Sequence, residues 1–325
     1  MGSLIDGQWV DKWRDTKSSG GHFVRPDAKV RNWITADGEP GPSGDGGFKA
    51  EANRYHLYIA SSCPWAHRTM IYRALKGLED MISVSIVNPI AHSDGWTFHE
   101  GHGVIPDPLF GVTYLYEIYQ KADPNYTGVV TVPTLWDKQC STIVSNESSE
   151  IIRMFNTAFD GLGAMPGDYY PEELRPKIDE INELVYHAIN NGVYRTGFAT
   201  SKEAYLEGYN RLFGALDKLE EILSTQSFLV GEDITEADWR AFTTLIRFDL
   251  VYYGPFRCNK RRLIDYPNLW DYTRALYQIP GVARTVDPFA IKQHYYASSK
   301  MLQPTGLVGL GPDIEFDAPS NRGQS

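Results

Sequence analysis

The chain has 325 residues, enough for two domains each with its own core. Apolar residues make up 42% and charged residues 22%, the balance of a soluble globular protein. The net charge of −10 argues against nucleic acid or an anionic membrane surface as partner, so a small-molecule substrate is expected.

No run approaches the roughly 20 apolar residues of a membrane span. The first residues, Met1-Gly2-Ser3-Leu4-Ile5-Asp6, lack a basic segment followed by an apolar one. Asp6 also stands where N-myristoylation wants Ser or Thr. Three widely spaced cysteines, Cys63, Cys140 and Cys258, make no disulfide framework and suit a reducing compartment. A cytoplasmic protein is expected.

Residues 1–50 mix turn signals such as Gly20-Gly21 and Gly38-Glu39-Pro40 with Trp9, Trp13, Phe23 and Trp33. This predicts an irregular extension wrapped on the domain behind it. Tyr55, Leu57 and Ile59 alternate through a strand over 54–60. Ala66, Met70, Ala74 and Leu78 form the apolar face of a helix over 65–78. Pro64 suits its first position, which puts Cys63 at the N-cap. A strand over 82–87 completes a βαβ unit. An aromatic helix over 109–121, a strand over 129–136 broken by Pro133, a strand over 142–145 and a helix from Asn146 to Thr157 come next. The order βαβ–α–ββα is thioredoxin-like.

Strand signals stop near 160–170. Helices are predicted over 172–191, 201–223, 235–252 and 268–277, with Thr235–Asp238 as an acidic relative of the capping box. The predicted organisation is an irregular extension (1–50), a thioredoxin-like domain (51–165), an all-helical domain (166–297) and an irregular tail (298–325).

A thiol at a helix N-terminus meets unpaired N–H groups and the helix dipole, both of which favour the thiolate. The placement of Cys63 therefore favours a nucleophile over a small buried apolar residue. Cys63-Pro64-Trp65-Ala66 has the position of a C-x-x-C motif, with Ala66 for the second cysteine. An internal disulfide is impossible there, and the obvious outside thiol is glutathione. Val132-Pro133 invites a cis bond that turns the Val132 backbone toward an extended peptide; the alternative is an edge-strand proline. Ser148 at a helix start can meet a carboxylate and Glu147 an ammonium, the two ends of an α-amino acid; plain helix capping is the alternative. His99-Glu100-Gly101-His102 is too loose for a metal site, and no Gly-rich phosphate loop follows a strand. Neither a metal nor a nucleotide cofactor is expected.

The motifs Cys63–Ala66, Val132-Pro133, Ser145–Ser148 and Thr235–Asp238 resemble the glutathione transferase superfamily. Gly95-Trp96-Thr97-Phe98, Asn190-Asn191-Gly192-Val193-Tyr194, Arg247-Phe248-Asp249, Cys258-Asn259, His294-Tyr295-Tyr296 and Pro304-Thr305-Gly306 narrow the resemblance to its Xi class, the glutathionyl-hydroquinone reductases. It covers nearly the whole chain. It implies an α/β thioredoxin-like N-terminal domain plus an all-α C-terminal domain, in a homodimer. It also implies reduction of glutathionyl-hydroquinones by glutathione, with glutathione disulfide as co-product. Glutathione would be a co-substrate, with no permanently bound cofactor.

By that resemblance Cys63 attacks the thioether sulfur, and Trp96, Val132, Glu147 and Ser148 hold glutathione. Tyr194, Tyr252 and Tyr295 would line the aryl pocket, with Tyr253 and Tyr296 as alternatives one residue away. Val129 is apolar where the family has a basic residue, and Gly254-Pro255-Phe256-Arg257 replaces a His/Phe/Lys pattern. The rival readings are a general cysteine-type transferase acting on mixed disulfides or dehydroascorbate, and a non-enzymatic binding module.

Overall fold

The computed structural model describes residues 2–11 and 15–322; Trp13 lies outside them. The described chain forms two compact units. One holds residues 2–11, 27–167 and 285–294, the other 15–26, 168–284 and 295–322.

The first unit centres on a four-stranded sheet of order β6-β5-β8-β9. Strand β5 (Tyr55–Ile59) runs parallel to β6 (Ile82–Ile86) and antiparallel to β8 (Thr134–Asp137), which pairs antiparallel with β9 (Thr142–Ser145). Helix α1 (Pro64–Leu75) makes the crossover that two parallel strands require, and α3 (Ser148–Thr157) packs beside it. Helix α2 (Leu115–Ala122) lies between β6 and β8 in the chain.

Tyr55, Leu57 and Ile59 alternate along β5 with His56 and Tyr58, and all five residues are buried. The second face is closed by the loop after β6. Tyr58 donates to Asp107 Oδ1 at 2.9 Å and packs near Phe98. His56 is satisfied by two serines. The Ser85 hydroxyl donates to Pro106 O (3.0 Å), so it accepts from His56 Nε2–H (2.9 Å), and Nδ1 accepts from Ser83 (2.7 Å). Asp107 also explains why α2 starts later than the predicted 109: its carboxylate accepts from the N–H groups of Leu109, Phe110 and Val112 and holds them in a turn.

The extension is more ordered than its punctuation suggested. Strands β1 (Ser3–Ile5) and β2 (Gln8–Val10) form a hairpin, and β3 (Trp33–Thr35) pairs in parallel with β4 (Gly47–Lys49). Asp6 (φ 46°) and Gly7 (φ 73°) make the hairpin turn, whose positive φ angles match the strand twist. β1 also pairs with β7 (Gly128–Val129), so the predicted strand 129–136 divides into β7 and β8 with Pro133 between them.

The second unit is helical: α4 (Arg175–Leu184), α5 (Gly192–Gly197), α6 (Lys202–Leu223), α7 (Glu236–Leu245) and α8 (Pro267–Tyr277). Thr235 and Asp238 form the expected capping box at α7. The fully buried Asp238 also accepts from Tyr272 and the Leu229 N–H, while burial raises its pKa. Two predicted helices do not run through. A π-helical turn, Val185–Asn190, ends α4, and another, Phe248–Tyr252, comes after α7. A wider turn inserts a residue and rotates the next segment of chain by about 100°. Helix α9 (Pro288–Ala297) was missed, although Asp287-Pro288 signals a start: Asp287 Oδ1 accepts from Ala290 N–H. Residues 298–322 carry neither helix nor strand.

Burial in β5 pushes the His56 pKa down to about 4, against about 6.5 for an unperturbed histidine. The folded state therefore binds this proton less readily than the unfolded chain. Its contribution to stability is full above about pH 6.5 and is lost as pH falls toward about 4. Thermal midpoints measured between pH 7 and pH 4 should fall less for His56→Gln than for the natural chain; parallel falls would refute the assignment. A Cβ on Gly197 would lie 2.1 Å from Phe256 Cδ1. Gly197→Ala should accordingly lower stability by about 1–3 kcal/mol in chemical unfolding, the usual cost of overpacking; an unchanged midpoint would rule out that close approach.

Candidate active site

Cys63 is the N-cap of α1, extended at φ −79° and ψ 122°, with Pro64 at the first helical position. Proline fits there because its missing N–H has no helical acceptor to meet. The Cys63 thiol is partly exposed and donates to Val132 O at 3.7 Å. The bond from Val132 to Pro133 is cis. Ala66 is fully buried, so the place of a second C-x-x-C thiol belongs to the packed side of the helix. Among the described residues none of the three cysteines is in a disulfide. Cys258 is fully buried, and burial pushes its thiol pKa up, which suits an inert residue.

His67 and Arg68 lie in the first turns of α1, but both are buried and engaged. His67 Nε2 lies 2.8 Å from Thr285 Oγ1. The Arg68 guanidinium sits 4.6 Å from the Trp65 ring centroid and donates to Ser148 Oγ at 3.4 Å. Arg68 therefore ties the start of α1 to the start of α3.

Glu147 is the N-cap of α3 and Ser148 its first residue. Glu147 Oε1 accepts from the Ser149 N–H (2.9 Å) and hydroxyl (2.7 Å). The capping that the sequence left as an alternative is thus present in the structure, and one carboxylate oxygen is committed to it. Ser148 is buried. Trp96 is buried too, stacked on His294 with centroids 4.9 Å apart and planes at 21°. His294 Nδ1 is 2.9 Å from Pro89 O.

In the second unit the three tyrosines chosen from the sequence meet. Tyr194 and Tyr295 hydroxyls are 2.7 Å apart, and those of Tyr252 and Tyr295 are 3.4 Å apart. All three are buried, whereas Tyr253 and Tyr296 are half-exposed. The π-helical turn ending at Tyr252 rotates this side chain relative to the α7 face. Burial holds the Tyr252 phenol protonated far above the ordinary tyrosine range. The chain of hydroxyls can donate hydrogen bonds to oxygen atoms of a ligand or pass a proton along itself.

Two residues beside this cluster were given no role there from the sequence, where Phe256 stood only as part of the departure at Gly254–Arg257. Phe256 presents its ring edge-on to Tyr194 (5.6 Å), Tyr252 (5.0 Å) and Tyr295 (5.3 Å). Gly197 leaves the room for it. A glycine ending a helix one turn after Tyr194 was a visible signal, but its partner was not. The His99–His102 segment holds no metal cluster among the described residues: His102 pairs with Asp287 and His99 packs edge-on against Tyr114.

Two family models match the chain: the glutathione S-transferase N-terminal domain over residues 62–158 and the C-terminal domain over 202–275. The glutathionyl-hydroquinone reductase YqjG of Escherichia coli K12 is 55% identical over 323 residues, covering 99% of this chain and 98% of that protein. Its glutathione-bound structure superposes with a TM-score of 0.92 over 99% of each chain. A Xi-class glutathione transferase from Natrialba magadii, 45% identical, superposes at 0.90 over 99% of this chain and 96% of its own. With a thioredoxin-like unit, a helical unit and identity of this extent along its length, the chain belongs to the glutathione transferase superfamily, in the Xi class of glutathionyl-hydroquinone reductases.

Proposed function

We propose that this chain reduces glutathionyl-hydroquinones to hydroquinones, with glutathione as reductant and glutathione disulfide as co-product. The observation that carries the reading is the single thiol at the N-cap of α1, with Ala66 where a resolving cysteine would stand. Such a thiol completes a catalytic cycle only with an outside thiol.

The chemistry requires three events. An electron-rich aryl carbon leaves poorly until the ring takes up a proton at the carbon bearing sulfur, gives up one from its hydroxyl and becomes a ketone. The Cys63 thiolate then attacks the thioether sulfur: the S–S bond forms, the S–C bond breaks, and its electron pair restores the aromatic hydroquinone. A glutathione thiolate next attacks the mixed disulfide, releasing glutathione disulfide and the Cys63 thiolate. One thioether and one glutathione are consumed for one hydroquinone and one disulfide.

In this reading Tyr194, Tyr252 and Tyr295 bind the hydroquinone oxygens and supply the proton. Their linked hydroxyls support it, because donors aimed at oxygen favour the ketone form as an oxyanion site does. Trp96, the Val132 backbone, Glu147 and Ser148 hold glutathione, with the second oxygen of Glu147 for the ammonium. The α3 N-terminus suits a carboxylate. The reading extends to the predicted domain boundaries and to a cytoplasmic homodimer. No helix among the described residues is long and apolar enough to cross a membrane.

Cys63→Ala should lower turnover of glutathionyl-menadiol by at least about 10³-fold, since no other group supplies the nucleophile, while circular dichroism stays unchanged. Full activity would end the proposal. Tyr295→Phe removes the hydroxyl shared by the other two phenols. It should lower kcat on the aryl thioether by roughly 10²-fold, the lower range for a general acid, and spare exchange with 2-hydroxyethyl disulfide. Equal losses on both substrates would favour a general thiol transferase.

A further inference from the structure

The extension contributes to the tyrosine cluster, which no reading of the family motifs requires. Residues 15–26 belong to the helical unit. They are tied to the turn between α5 and α6. The Thr200 N–H donates to Gly21 O at 3.0 Å, and the Ser201 hydroxyl donates to Gly20 O at 3.0 Å. Gly21, at φ +91°, passes so close to Ser201 that a Cβ would lie 2.6 Å from its hydroxyl oxygen. This anchoring brings Phe23 to stack on Tyr194, with centroids 6.1 Å apart and planes at 25°. It also brings Arg25 over the same ring, its guanidinium carbon 4.7 Å from the Tyr194 centroid and 5.6 Å from that of Phe23. Arg25 Nε donates to Asn191 Oδ1 at 2.9 Å. Asn191 is buried and immediately precedes the helix that carries Tyr194.

We propose that Arg25 is a positioning residue for Tyr194, fixing its ring and strengthening its hydroxyl as the proton donor to the aryl carbon. The role rests on the reductase reading above. The face of a phenol ring is negative, and a cation over it is attracted by that quadrupole. As the Tyr194 O–H bond breaks and a C–H bond forms on the substrate ring, negative charge spreads from the tyrosine oxygen into its own ring. The attraction to Arg25 therefore grows along the reaction coordinate, and an interaction that strengthens toward the transition state raises kcat rather than ground-state affinity. The proton that the substrate hydroxyl releases on becoming the ketone returns to the Tyr194 oxygen through the linked Tyr295 hydroxyl. The clamp from Asn191 holds the guanidinium on the ring face, so the cation is in place before the charge develops.

The test uses the full-length chain with Arg25→Met, which keeps a long apolar stem without charge, and Arg25→Lys, which keeps a cation. Glutathionyl-menadiol and 2-hydroxyethyl disulfide are assayed side by side with glutathione. Arg25→Met is expected to lower kcat on the aryl thioether about tenfold, or ~1.4 kcal/mol, with KM within about twofold and disulfide exchange unchanged. Arg25→Lys is expected to restore most of the lost kcat. An unchanged kcat in Arg25→Met, or a rise in KM alone, would overturn the role. Equal loss on both substrates, unrestored by lysine, would make Arg25 a structural residue and overturn it too. Failure of the natural chain to turn over the aryl thioether while exchanging the disulfide would instead remove the reductase reading and this role with it.

Discussion

A helix that begins at a cysteine, with proline as its first residue, is the constraint on which the first unit is built. Pro64 sets the start of α1, so Cys63 stays extended at the N-cap. The other half of the arrangement comes from a distant stretch of chain. The Val132 carbonyl faces the same sulfur, because β8 pairs with β5 and the chain enters β8 through Pro133. A sheet register error of one residue would turn Val132 and every β8 side chain over, and the facing carbonyl would be lost.

The helical unit solves a different problem, the gathering of hydroxyls from three remote positions. Helices alone present side chains at fixed angular steps, and two of the three long helices predicted here are interrupted by wider turns. One of these turns ends at Tyr252 and the other lies just before α5, which carries Tyr194. Phe256 fills the space among the three rings. It packs at steep angles against all three, and their hydroxyls lie within hydrogen-bond reach of one another. Such wider turns are rare and recur at functional sites.

Much of this was legible in the sequence. Strand β9, helices α6 and α8, the α7 capping box and the N-cap place of Cys63 all obey short-range rules: alternation, apolar stripes, Pro at the first helical turn and acid at the third. The early start predicted for α2, the continuous helices 172–191 and 235–252 and the irregular extension failed for long-range reasons. Asp107 holds a loop from below, wider turns serve side-chain direction, and short strands form only because β7 offers an edge to β1. The burial of the β5 histidine also depends on a distant segment, the loop carrying Pro106 and Asp107 that closes the second face of the sheet.

By itself the sequence determined the local chemistry: a helix-capping thiol without a neighbouring cysteine, a proline at a strand entry, a capped helix after Asn146 and a late helical half. These depend on neighbours a few residues away. Only the tertiary structure decided which tyrosines among the 20 share hydrogen bonds, that Gly197 makes room for Phe256, and that Arg25 lies on the ring of Tyr194. Each of those facts joins segments far apart in the chain, and no propensity or periodicity reports a distance between them.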